Sequence, residues 1–248
     1  MKYSVWWRSS SPAVILAFLC SSVPGLRGQG AARPETNGSA AIVVGFLGGL
    51  VRHDNAVHSE VQLASRLEHD YSPRVQVRMF ENRRGQQALL EIRRLLDANH
   101  DGALSPEEKL GARISIYGHS WGASETVTLA RALGRDGIPV LLTVQVDSVT
   151  KLGEDDESIP SNVAQAVNFY QQNGLLHGRQ RIRADDASRT QILGNFLFDY
   201  KTSSVSCEGY PWFARVFMKP HIEIESDPRV WRQVEFLIRS KLRPPVPR

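Results

Sequence analysis

The pentapeptide Gly118-His119-Ser120-Trp121-Gly122 joins a strand-like run to a helix-like run. A serine held on such a sharp turn can act as a nucleophile, because the N-terminus of the following helix stabilises developing negative charge. Gly118 and Gly122 remove the Cβ atoms that would collide where a strand and a helix approach this closely. A serine that only caps the helix would explain Ser120 but not both glycines. The spacing therefore favours a nucleophilic serine.

A second pattern, "DANHDGALSPEE" at residues 97–108, carries oxygen ligands at the spacing of a twelve-residue calcium loop. Such loops use side chains at positions 1, 3 and 5, a carbonyl at 7, a side chain or water at 9, and a bidentate carboxylate at 12. The predicted ligands are Asp97, Asn99, Asp101, the carbonyl of Ala103, Ser105 or a water molecule, and Glu108. The sequence therefore predicts a Ca²⁺ site, and a solvated acidic turn without metal is the alternative.

The predicted calcium loop differs from a paired sensor module in its short exit helix. Only residues 106–110 remain for that helix before Gly111, and there is no second loop to pair with. We therefore expect a structural calcium clip, which ties the preceding helix to the strand that leads to Ser120.

Apolar periodicity predicts the elements that would position these residues. Strand and helix patterns alternate from residue 40 to residue 147, which favours a mostly parallel central sheet with helices on both faces. The predicted elements are strand 40–46, helix 59–69, strand 74–80, helix 86–96, strand 113–117, helix 123–133 and strand 139–147.

Beyond residue 147 the pattern leaves alternatives open. Residues 161–172 fit a helix or a strand over 166–170, and residues 178–184 and 190–200 fit strands or a hairpin. The end is clearer, because Asp227 and Pro228 supply an N-cap and a first-turn proline for a final helix.

In this setting the sequence "GHSWG" resembles the nucleophile turn of the lipase and esterase branch of the α/β-hydrolases. The resemblance extends over about residues 40–242 in the order of elements, and the turn is its one specific motif. It implies an α/β-hydrolase fold and a serine hydrolase that cleaves small-molecule or lipid carboxylic esters through an acyl-enzyme. The catalytic residues of this fold generally follow the chain order serine, acid, histidine.

That chain order identifies the candidate base and oxyanion donors. His177 and His221 follow Ser120, and the resemblance favours His221 because it directly precedes the final helix. The oxyanion donors implied are the backbone N–H of Trp121 and a second N–H in the glycine-rich loop after the first strand. For the second donor the sequence does not decide between Leu47 and Phe46.

The candidate acid is Asp147, which closes the strand after the Ser120 helix and would stand at the same edge of the sheet as Ser120. Many members of the family carry the acid one strand later. The alternatives are therefore Asp185, Asp186 and Asp199.

The chain has 248 residues, of which 42% are hydrophobic, enough for one well-buried domain. Residues 1–30 resemble a signal peptide, with Lys2 and Arg8 before an apolar run at 13–19 and small residues after it. Because that run is too short to span a bilayer, we expect export rather than a membrane anchor. Residues 31–248 would form the single hydrolase domain, with the calcium loop inserted before the Ser120 strand.

The charge and the cysteine content limit which partners and which disulfide bonds we expect. Residues 1–30 hold three basic residues and no acidic one, so the rest of the chain has 27 Lys and Arg against 26 Asp and Glu. A net charge of +1 without a basic cluster argues against a nucleic-acid partner. Without residues 1–30, Cys207 is the one cysteine, which excludes an intramolecular disulfide. The sequence does not indicate the oligomeric state.

Two other functions fit the same residues. One is a catalytically inactive calcium-binding module on a hydrolase fold, since a fold alone does not give a function. The other is a thioesterase or acyltransferase that uses the same three catalytic residues.

Overall fold

Six parallel strands form the central sheet in a computed structural model of the protein, which describes residues 41–242. With a separate pair of short strands, the described residues form eight strands: β1 (Ala41–Leu47), β2 (Val75–Glu81), β3 (Ile114–His119), β4 (Val140–Val146), β5 (Ser158–Ile159), β6 (Val163–Tyr170), β7 (Arg183–Ala184) and β8 (Gln191–Leu197). The strand order is β2-β1-β3-β4-β6-β8, while β5 and β7 pair separately. All these pairs are parallel.

Helices cover both faces of the sheet. They are α1 (Ser59–Tyr71), α2 (Gly85–Leu96), α3 (Pro106–Leu110), α4 (Trp121–Arg135), α5 (Trp212–Phe217), α6 (Lys219–Ser226) and α7 (Pro228–Arg239). Buried residues of α1 and α7 pack in one cluster with Val43, and those of α2 and α4 pack in another with Ile42 and Val44. Successive side chains of β1 therefore fill opposite faces, as buried parallel strands do. The predicted fold class is confirmed.

The segments that the sequence left open are strands. Within the segment 161–172, Val163–Tyr170 form β6, an inner strand with buried Ala166, Val167 and Phe169. The hairpin alternative for residues 178–200 is wrong, because β8 pairs parallel with β6 and β7 pairs with β5. The final helix begins as predicted, with the Asp227 carboxylate accepting the N–H of Arg229 at 2.8 Å.

The signal-peptide prediction for residues 1–30 lies outside the described residues. Those that are described, 41–242, fall within one compact unit. In that range no helix has the length and apolar character needed to cross a membrane.

Helix α7 offers a direct test of the packing. Ile238 is fully buried against the sheet, while Phe236 on the same helix is 71% exposed. Ile238→Ala should lower the free energy of unfolding by about 2–5 kcal/mol, because it removes buried methylenes and leaves a cavity. Phe236→Ala should change it by about 0.5 kcal/mol or less. Urea denaturation of both variants measures the difference, and equal effects would contradict this packing.

Candidate active site

Ser120 sits on a strained turn between β3 and α4, with φ 57° and ψ −128°. Non-glycine residues rarely adopt a positive φ, and such strain persists where the surroundings enforce it. Here the N–H of Ser120 donates to the carbonyl of Val146 at 3.0 Å, and its own carbonyl accepts the N–H of Ala123 at 3.0 Å. The Ser120 side chain makes no capping hydrogen bond to α4. The helix-capping interpretation is therefore wrong.

Two glycines allow the strands and the helix to meet around this turn. A Cβ on Gly118 would lie 2.5 Å from the carbonyl oxygen of Gly122, and one on Gly122 would lie 2.4 Å from that of Phe46. Both distances are far below van der Waals contact. The close approach of β1, β3 and α4 thus depends on the absence of side chains at these two positions.

His221 bridges Ser120 and Asp147. Its Nε2 lies 2.9 Å from Ser120 Oγ, and its Nδ1 lies 2.6 Å from Asp147 Oδ2. Because an ionised carboxylate only accepts hydrogen bonds, Nδ1 carries the proton and Nε2 can take the proton of the serine. All three residues are buried. A serine at this turn, joined to an acid and a histidine at the carboxyl edge of a parallel sheet, is the arrangement of the α/β-hydrolase fold.

The Asp147 carboxylate is held by further donors. Its Oδ1 accepts the backbone N–H of Gly178 at 2.8 Å and that of Gln171 at 3.3 Å, and its Oδ2 accepts the Gln171 side-chain amide at 2.8 Å. These bonds orient the carboxylate toward His221 and satisfy its lone pairs in a fully buried position. Sequence reasoning missed Gln171 and Gly178, which lie in loops without a recognisable motif.

The alternative acids and base lie elsewhere. His177, Asp185 and Asp199 are exposed, and the half-buried Asp186 accepts hydrogen bonds from Ser188 in a local turn. His221 lies in the short helix α6, which directly precedes the final helix α7.

The glycine-rich loop after β1 approaches Ser120 at Gly48, and the choice of Leu47 or Phe46 as second oxyanion donor stays a prediction. Phe46 and Leu47 are fully buried and do not line the cavity beside Ser120, whereas Gly48 and Gly49 do. A Cβ on Gly48 would lie only 2.7 Å from Ser120 Cβ. The reason is that β1 continues through Leu47, one residue beyond the predicted end, so the turn begins at Gly48. Trp121, the other predicted donor, is the first residue of α4 and also lines the cavity.

The cavity beside Ser120 has a volume of about 630 Å³. Its lining is largely apolar and includes Leu50, Val57, Val149, Leu176, Phe213 and Ile222. Helix α5 borders it and exposes four large apolar side chains, namely Trp212, Phe213, Val216 and Phe217. The arrangement can hold an apolar group against the Ser120 hydroxyl.

Four buried titratable residues that the sequence analysis did not single out lie next to these groups, and we call them the His/Glu cluster. They are His58, Glu60, His119 and Glu225. Burial raises the pKa of Glu225 to about 7 and lowers the pKa of His119 well below its usual value. No local motif joins these four residues, because they lie far apart in the chain and meet only in the folded protein.

The predicted calcium ligands lie in an exposed loop between α2 and α3. Glu108 closes it, because its carboxylate accepts the N–H of Ala98 at 2.8 Å and that of Ser105 at 2.9 Å, and these bonds lower its pKa. Gly102 has a φ of 82°, as the sharp turn requires.

The chemistry of the donor set fits a hard cation, since Asp97, Asn99, Asp101 and Glu108 all offer oxygen. Within residues 41–242, however, the carboxylates of Asp97, Asp101 and Glu108 do not form a group whose oxygens all lie within 4.8 Å of one another. A bound ion would therefore have to draw their carboxylates closer together.

Of the comparisons with known proteins, the one with solved structures found similar chains. No family model and no curated protein matches the chain. An arylesterase structure is 13% identical, with 82% of this chain and 76% of that chain covered and a TM-score of 0.46. RedJ with polyethylene glycol bound in its active site is 11% identical, with 88% and 95% covered and a TM-score of 0.43. A thermostable esterase from Pseudomonas putida is 12% identical, with 84% and 74% covered and a TM-score of 0.39. At such identities and TM-scores, no activity or site residue is transferred from these proteins.

Because the turn is so closely packed, we expect a glycine-to-alanine substitution at the start of α4 to lower the stability of the protein, the opposite of its usual effect in a helix. Replacing an exposed helical glycine by alanine stabilises a protein by up to about 1 kcal/mol. Gly122→Ala should instead destabilise this one by more than about 2 kcal/mol, because the new Cβ meets the Phe46 backbone. Thermal and urea unfolding measure the change, and a stabilised variant would show that the approach is not this close.

Proposed function

We propose that the protein is an exported serine hydrolase that cleaves carboxylic esters. The observation that carries the proposal is the position of His221, with Nε2 2.9 Å from Ser120 Oγ and Nδ1 2.6 Å from Asp147 Oδ2. A buried imidazole between a serine and a fixed carboxylate is the arrangement that activates a hydroxyl as a nucleophile. The strained turn adds support, because it aims Oγ at the cavity and not at the helix.

The proposed reaction has two halves. His221 Nε2 takes the Ser120 proton as Oγ attacks the ester carbonyl, and Asp147 stabilises the imidazolium that forms. The oxyanion would accept the N–H of Trp121 and a second N–H from the loop at Gly48, beside the positive end of α4. His221 then protonates the departing alcohol. Water, deprotonated by the same imidazole, hydrolyses the acyl-enzyme and restores the serine.

The cavity favours an ester with an apolar acyl or alcohol part, either a small molecule or a lipid. Its lining is mostly aliphatic and aromatic, and a volume of about 630 Å³ is within the range of small-molecule sites. The exposed apolar side chains of α5 extend this surface outward.

Variants of Ser120 and its neighbour Ser124 test the nucleophile. Ser120→Ala should lower kcat for p-nitrophenyl butyrate by at least about 10⁴-fold, since it removes the attacking atom. Ser124→Ala is the matched control, because Ser124 lies one turn into α4 and bonds to Glu154. It should retain most of the activity.

Three outcomes of that assay would contradict the proposal. Hydrolysis that survives Ser120→Ala excludes the serine as nucleophile. Absence of turnover by calcium-replete wild-type protein favours the inactive module. A large preference for the matching thioester over the oxygen ester favours a thioesterase.

A series of p-nitrophenyl esters tests the substrate class. Each acyl methylene buried in an apolar cavity gains about 0.8 kcal/mol, so kcat/KM should rise by up to about fourfold per methylene from acetate until the cavity is filled. Initial rates across the series measure this trend. A fall from acetate onward would contradict an apolar acyl site.

We further propose that Ca²⁺ stabilises the fold through the loop at 97–108. The ion would be held by Asp97, Asn99, Asp101, the carbonyl of Ala103, Ser105 or a water molecule, and Glu108. Its double charge would offset two of the three negative charges of Asp97, Asp101 and Glu108, and it would join α2 to α3, directly before β3. An exported protein meets millimolar calcium, so a weak site would suffice.

Thermal unfolding with calcium and with chelator tests the loop. Raising calcium to about 10 mM should increase the melting temperature of the wild type by roughly 3–10 °C, by linkage to a site of submillimolar to millimolar affinity. Asp97→Ala should abolish that increase. Glu107→Ala removes a nearby acid that is not a predicted ligand and should preserve it. Identical melting of the wild type with and without chelator would refute the clip.

A further inference from the structure

The His/Glu cluster lies under the turn that carries Ser120. His58 Nδ1 contacts Glu225 Oε1, and His119 Nδ1 lies 3.2 Å from Glu225 Oε2 and 4.0 Å from Glu60 Oε1. The ligand-type atoms of His58, Glu60 and Glu225 all lie within 4.8 Å of one another. One imidazole and two carboxylates thus converge on one buried point, and His119 Nδ1 faces both carboxylates from the side of the triad, where its own ring lies close to Asp147 and His221.

The two carboxylates of the cluster lack a cationic side chain. Among residues 41–242, the ion pairs of Glu60 and Glu225 are made with histidines. Glu60 is fully buried, and neither of its carboxylate oxygens has a hydrogen-bond partner within that range. An unpaired buried carboxylate is strongly unfavourable, and burial together with the neighbouring Glu225 raises the pKa of Glu60 well above its ordinary value. Either a proton on Glu60 or a cation between the side chains would remove this cost.

The orientation of His119 points to a metal. Its Nε2 lies 3.1 Å from the carbonyl oxygen of His221. A carbonyl only accepts, so Nε2 carries the proton, and in the neutral ring Nδ1 presents a lone pair toward two carboxylates. An imidazole that binds a metal through one nitrogen commonly donates its other N–H to a backbone carbonyl in this way.

We propose that His58, Glu60, His119 and Glu225 bind one divalent transition-metal ion, with Zn²⁺ as the best match. Two nitrogen and two oxygen ligands suit four-coordinate zinc, and its double charge neutralises both carboxylates. Ligand atoms around tetrahedral zinc lie about 3.3–3.5 Å apart, and the 3.2 Å from His119 Nδ1 to Glu225 Oε2 is close to this spacing. Binding of the ion would shorten the 4.0 Å from His119 to Glu60 and lengthen the contact between His58 and Glu225. Calcium is disfavoured because it takes oxygen ligands.

The ion would hold parts of the fold in position and would take no part in the reaction itself. His58 and Glu60 flank the start of α1, His119 directly precedes Ser120, and Glu225 lies one helical turn after His221 in α6. One metal would therefore tie α1, the turn and α6 together, which holds the Ser120 and His221 side chains in register. The four are positioning residues, and the site itself does not depend on the proposed esterase activity.

Metal analysis of the full chain tests the proposal. Protein is stripped with dipicolinate, dialysed to remove the chelator, loaded with a small molar excess of Zn²⁺ in calcium-free buffer, desalted and measured by plasma mass spectrometry. The wild type should hold about one zinc per chain. Loading with Co²⁺ should give the intense visible absorption bands of four-coordinate cobalt. This spectrum is recorded on the wild-type protein and does not depend on the folding of any variant.

Variants locate the ion. Glu60→Gln and His58→Asn should each lower zinc affinity by at least about tenfold. His53→Asn removes a nearby exposed histidine and should change nothing. Ser120→Ala should keep its zinc, so failure of the catalytic proposal would leave this result intact. Glu60→Gln should still fold, since it removes the unpaired charge, and circular dichroism checks this. A wild type that takes up neither Zn²⁺ nor Co²⁺ at micromolar concentration, or equal binding by Glu60→Gln, would overturn the assignment.

Discussion

The hydrogen bond between His221 and Asp147, buried at 2.6 Å, is the interaction on which the site depends. It sets which nitrogen of the imidazole faces Ser120, and so decides whether the serine can lose its proton. Much of the fold converges on this one bond. Strand β4 delivers Asp147, the loop after β6 supplies Gln171 and Gly178 to hold its carboxylate, and α6 presents the histidine.

Backbone strain at the carboxyl edge of the sheet accompanies this arrangement. Ser120 has a φ of 57° and Asp147 a φ of 44°, both in the region that L-residues avoid. Each is held by a bond across the edge, the Ser120 N–H to Val146 and the Asp147 N–H to Phe169. Two strained residues that face the same histidine indicate that the surrounding packing enforces the geometry, which is typical of reactive sites.

The sequence alone predicted the alternating strands and helices from β1 to β4, and it predicted that Ser120, Asp147 and His221 lie together, because these signals are local. Apolar periodicity, a glycine-flanked serine and a capped final helix are each visible within a few residues. The donors to Asp147 and the His/Glu cluster were not visible, since Gln171, Glu60 and Glu225 acquire their partners only through tertiary packing. The turn after β1 begins at Gly48, one residue later than predicted, because apolar patterns place the end of a strand only to within a residue or two.

A covalent probe tests the central claim most directly. Wild-type protein treated with a fluorophosphonate should gain one phosphonyl group, and peptide mapping by mass spectrometry should place it on Ser120. His221→Ala should slow labelling by orders of magnitude, since the serine then lacks its base. A protein that stays unlabelled, or one labelled at another residue, would contradict the assignment of Ser120 as the nucleophile.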